Sequence, residues 1–85
     1  MQDKTDLSKK IEELTALRKS ISLELKVIAR TTNIPTQILK NIELHDFNKL
    51  PPHPIGESFI KQYSFVIEKE SKKPKNRSSL KLANS

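Results

Sequence analysis

The chain has no cysteine and no tryptophan, a single glycine, and aromatic residues at only 5% of its 85 positions. Without thiols it can build neither a disulfide framework nor a thiolate metal site to support a small fold. One glycine, Gly56, rules out a glycine-rich phosphate loop. Hydrophobic residues make up 34% of the chain, and no apolar run approaches the roughly 20 residues that cross a bilayer. The start, Met1-Gln2-Asp3-Lys4, lacks the charged-then-apolar pattern of a secretory signal. These absences predict a soluble, intracellular chain placed in the cytoplasm. A domain this short buries roughly 60% of the surface its unfolded chain exposes, so its stability is expected to be modest.

Chemistry is equally thin. His45 and His53 have no carboxylate or thiol cluster at ligand spacing, so no metal is expected. No Ser/His/Asp set can be drawn, and a chain of this size is expected to hold no pocket-sized cavity. The expectation is a protein that is not an enzyme, takes no cofactor and no small-molecule substrate, and works by binding a macromolecule.

The net charge of +6 is unevenly spread. Residues 1–68 hold ten Lys/Arg against nine Asp/Glu, a balance of +1. Residues 69–85 hold Lys69, Lys72, Lys73, Lys75, Arg77 and Lys81 against Glu70 alone, a balance of +5. A basic tail attracts DNA, RNA or an anionic membrane surface without choosing among them.

Leu7, Ile11, Leu14, Leu17 and Ile21 recur at helical spacing and predict a helix over 5–20, with Asp6, Lys9, Glu12, Glu13 and Arg18 turned outward. A second helix is expected over 23–31, with Ser22 as N-cap and Leu25, Ile28 and Ala29 inward. Thr31-Thr32-Asn33 suits a turn, with Asn33 left-handed. Pro35 suits the first position of a third helix over 35–44 that buries Ile38, Leu39 and Ile42. Two short helices around a tight turn make a helix-turn-helix. Leu50-Pro51-Pro52-His53-Pro54 is a stiff connector anchored by Phe47 and Leu50. A fourth helix then runs from 55 or 56 to 70 and buries Phe59, Tyr63, Val66 and Ile67. Residues 1–70 thus form one domain, and 71–85 read as a basic, disordered tail or linker.

These residues resemble a known family. Leu23-Glu24-Leu25-Lys26-Val27-Ile28-Ala29-Arg30-Thr31-Thr32-Asn33-Ile34 looks like the second helix and turn of the cytoplasmic helix-turn-helix domain of RodZ, the bacterial cell-shape protein. Ile34-Pro35, Ile38-Leu39, Ile42-Glu43, Asp46-Phe47 and Leu50-Pro51 resemble that family's I-P, Y-L, I-E, D-F and L-P string, and Phe59-Ile60-Lys61-Gln62-Tyr63 its F-L-R-x-Y. The resemblance spans about residues 7–67 and implies an all-α, repressor-like bundle of four to five helices. There are departures. Ser22 and His45 stand where the family usually has glycine, and Glu57-Ser58 where it has Arg-Gly. Ile67-Glu68-Lys69 replaces its L-G-L, so the fourth helix is expected to run on and a fifth to be missing. A RodZ protein continues through a basic segment into a membrane helix. The chain is then either the cytoplasmic part of a membrane-associated protein or a stand-alone relative.

Two sets of candidate contacts follow. The resemblance implies docking of a protein partner, the actin-like filament protein MreB, through the fourth helix and its aromatic residues together with part of the second. Phe59 and Tyr63 match the motif, although Phe59 suits the core as well and Tyr63 is expected to be the more open of the two. Phe65 lies about 240° around the helix from Phe59, off the inner stripe and beside Lys61. It suits a contact surface or a singly exposed apolar residue. The alternative is a DNA-binding regulator, with Thr36, Gln37, Lys40 and Asn41 reading bases and Lys72, Lys73, Lys75 and Arg77 touching phosphates. Against it, Lys40 is the only base on that helix, and Glu43 and Asp46 are close by.

Overall fold

The structure is a computed structural model, described for residues 4–73. Four helices, α1 (Lys4–Ser20), α2 (Leu25–Thr32), α3 (Thr36–Glu43) and α4 (Ile55–Ser71), and one short 3-10 turn (Phe47–Lys49) make up its regular structure. No strand occurs among the described residues, and the architecture is an all-α helix-turn-helix bundle. Of the tail expected over 71–85, Ser71 belongs to α4 and Lys72 caps it, while 74–85, with Lys75 and Arg77, lie outside the described residues.

Ile11, Leu14, Ile28, Ile34, Leu39, Ile42, Tyr63, Val66 and Ile67 form the core, drawn from every helix and from the α2–α3 turn. Leu25, Ile38 and Phe59 pack against it half-buried. The short α2 and α3 would be marginal alone; burial of their apolar faces holds them in place.

The ends of the first three helices explain the turns. Ser22, Asn33 and His45 each adopt the left-handed region, with φ of 58°, 62° and 62°. After α1, Leu23 N–H donates to the Arg18 carbonyl; after α3, Asp46 N–H donates to that of Asn41. These are the backbone bonds by which a left-handed residue closes a helix. Asn33 behaves as expected. Ser22 does not: it ends the first turn rather than capping the second helix, and Glu24 supplies the N-cap backbone. α2 therefore begins at Leu25 and runs through Thr32, whose hydroxyl donates to Ile28 O and accepts from Ile34 N–H. Pro35 is likewise one step earlier than expected. Its extended ψ of 141° makes it the N-cap, and its carbonyl accepts from Ile38 and Leu39.

α4 continues through Ile67-Glu68-Lys69 to Ser71, and no fifth helix follows among the described residues. Its first turn presses on the proline connector. A Cβ on Gly56 would stand 2.5 Å from the Pro51 carbonyl oxygen, a contact only glycine avoids.

Candidate docking groove and recognition helix

α4 shows two unlike faces. On one, Tyr63 is fully buried, contrary to its expected openness. Its hydroxyl donates to Glu43 Oε2 at 2.8 Å and accepts from Thr15 Oγ1 at 3.1 Å. Those partners let a polar tip leave water. Arg18, expected to face outward, turns in to complete the set. Its Nε donates to Glu43 Oε2 at 2.6 Å, its Nη2 to Glu43 Oε1 at 2.9 Å, and its Nη1 to the Leu23 carbonyl at 2.8 Å. Only 12% of the Arg18 side chain and 11% of the Glu43 side chain remain exposed. This bidentate pair joins α1 to α3, and Tyr63 ties α4 to both. Hydrogen bonding to Glu43 raises the Arg18 pKa above its ordinary value. Burial pushes the Tyr63 phenol well up; the bond from Thr15 opposes this, and the bond to Glu43 adds to it.

On the other face lies an open groove of about 770 Å³ between α1, α4 and the 47–53 segment, where no cavity was expected. α1 and α4 run antiparallel along it, since Thr15 meets Tyr63 and Lys10 meets Glu68 at 3.7 Å. Leu7, Leu14 and Ile60 line it, and Phe47, Leu50 and Pro51 close one end. Phe65, 64% exposed, stands on its edge with Lys61 one turn away. Phe59 is not part of the lining; it packs half-buried against the core. Of the four residues expected to dock a partner, Phe65 and Lys61 share this surface, and Phe59 and Tyr63 belong to the interior.

The second surface is the start of α3. Gln37 and Lys40 are exposed and Thr36 is half-exposed. Asn41 is only 6% exposed and accepts from Gln37 Nε2 at 3.2 Å, so it is drawn away from the groove-reading set. Of the two acidic residues near this helix, Glu43 is held by Arg18, and Asp46 pairs with Lys49 at 3.1 Å. Lys26 and Arg30, one turn apart on α2, add exposed bases that the sequence reading passed over. Lys72 and Lys73 are exposed at the end of α4, with Lys73 bonded to Glu70 at 3.0 Å.

A family model described as a helix-turn-helix domain matches residues 13–69. This chain belongs to that helix-turn-helix family. No curated protein and no solved structure matches the chain. The helix-turn-helix domain is a non-catalytic kind of fold. Among the described residues no group of three His, Cys, Asp or Glu could hold a metal ion, and no helix is long and apolar enough to cross a membrane.

Proposed function

We propose that this helix-turn-helix domain is a non-enzymatic, RodZ-like interaction module that docks a protein partner, an actin-like filament by the family resemblance, on its α1–α4 face. The observation that carries the reading is Phe65, 64% exposed beside an open apolar groove. A large apolar patch on a small domain marks an interaction surface more often than chance exposure does. The test is co-sedimentation with MreB-type filaments. Phe65→Ser should weaken binding at least about tenfold, as loss of an aromatic anchor does, and shift stability by no more than about 0.5 kcal/mol. Wild-type binding by that variant sinks the reading.

A second reading, a DNA-binding regulator, is favoured by Gln37 and Lys40 standing exposed at the start of α3. It predicts that selection from random duplexes at about 150 mM salt, where surface charge is screened within roughly 8 Å, enriches one motif. Gln37→Ala and Lys40→Ala would then cost about 1–3 kcal/mol on that motif and little on others.

A further inference from the structure

The α1–α4 groove restricts what can fill it. Along α4 it extends from Gly56 to Glu68, about 18 Å at 1.5 Å per residue. The α1 and α4 backbones that flank it spend their amides and carbonyls within their own helices, and the lining side chains are mostly apolar. An extended peptide laid there would bury backbone N–H and C=O groups with few partners. A helix satisfies its own backbone and offers side chains alone. The charged rim is equally restrictive. His53 Nδ1 lies 3.0 Å from Glu57, and Lys10 lies 3.7 Å from Glu68. Lys61 has no hydrogen-bond or ion-pair partner among the described residues, and it sits one turn before Phe65.

We propose that the groove takes an amphipathic helix of about three turns, which sets an apolar stripe on Leu7, Leu14, Ile60 and Phe65 and a flanking carboxylate on Lys61. This rests on the docking reading above and specifies the chemistry of its partner. The helix lies as a third rod beside the antiparallel α1 and α4. Its acidic flank gives Lys61 the partner it lacks among the described residues.

The test uses the full chain, labelled with nitrogen-15, and two synthetic alanine-based peptides with Leu at i, i+4 and i+7. The peptides differ only in carrying Glu or Lys beside that stripe. The Glu peptide should shift the amides of Leu7, Leu14, Ile60 and Phe65 and bind about fivefold more tightly at low salt, the scale of one exposed ion pair. Lys61→Glu should reverse the preference. Equal binding of both peptides in the groove overturns the charge selection and leaves the docking reading standing. Shifts confined to α3, or no binding by either peptide, overturn the helical occupant. Concentration-dependent shifts at the same four residues without peptide identify a second copy as the occupant and also overturn it. The docking reading itself fails separately, on filament binding by Phe65→Ser.

Discussion

The two sides of α4 solve opposite problems with the same kinds of residue. On the closed side an aromatic, an arginine and a glutamate (Tyr63, Arg18, Glu43) leave solvent together because each satisfies the others. On the open side an aromatic, a lysine and a glutamate (Phe65, Lys61, Glu57) stay out, with Phe65 having nothing to cover it and Lys61 nothing to pair with among the described residues. Buried polar bonding is concentrated on the first side and exposed apolar surface on the second. The loss expected from a substitution should therefore depend on which side it strikes more than on the residue type removed.

The largest effect should come from Glu43→Ala. It strips the guanidinium of two bonds and the Tyr63 hydroxyl of one while leaving both nearly buried. The cost should be about 3 kcal/mol, as for breaking a buried pair from one end. Urea unfolding midpoints measure it, and the double change Arg18→Met with Glu43→Leu should recover most of the loss. A Glu43→Ala variant within about 0.5 kcal/mol of the parent would erase the distinction between the two sides.

Next in size is an alkaline titration. Tyr63 is the only tyrosine, and its pKa is raised in the folded state. Its contribution is fully present below the ordinary phenol value near 10 and is lost as pH rises from there through the higher folded value. Unfolding free energy should therefore fall above about pH 10 by up to roughly 1.4 kcal/mol per pH unit. Tyr63→Phe should remove that component, while Phe65→Tyr, a phenol added on the open side, should add none. Equal alkaline slopes in the parent and Tyr63→Phe chains would show that the closed side is not closed to the phenolate.

The smallest effect concerns the left-handed residues. Ser22→Gly relieves φ of 58° beside Arg18 and should stabilise by about 0.5 kcal/mol. His45→Gly relieves a similar φ but removes the ring stacked on Phe47 at 5.9 Å, which closes one end of the groove, so its gain should vanish. Calorimetric melting of the two variants separates them. Equal gains would mean that the His45–Phe47 contact contributes nothing to the open side.

Much of the helical frame was legible because its signals are local. Aliphatic residues recur every third or fourth position, Asn33 and the prolines punctuate them, and the core residues Ile11, Ile28, Leu39 and Ile42 follow. The closed side was not legible, because it joins residues 25 and 20 positions apart and charged side chains face water by default. A signal did exist. Arg18 falls one turn after Leu14, and Glu43 one turn after Leu39, so each lies beside a buried stripe. The groove was hidden for another reason. The α4 face that lines it reads Glu57, Ile60, Lys61, Ser64, Phe65 and Glu68, a mostly polar strip, and most of the groove's apolar character comes from α1 and the proline connector.

The single glycine has a consequence for how this surface tolerates substitution. Gly56 lets the start of α4 rest against the Pro51 carbonyl, and both residues border the groove. Every other side chain there would meet the same backbone oxygen. The spacing between connector and helix is thus fixed by an absence of atoms, and substitution can only push it apart. Lys61, Ser64 and Phe65 stand on the exposed or half-exposed side of α4, where new side chains meet no such obstacle. Substitution can therefore alter the chemistry of the groove far more readily than its width.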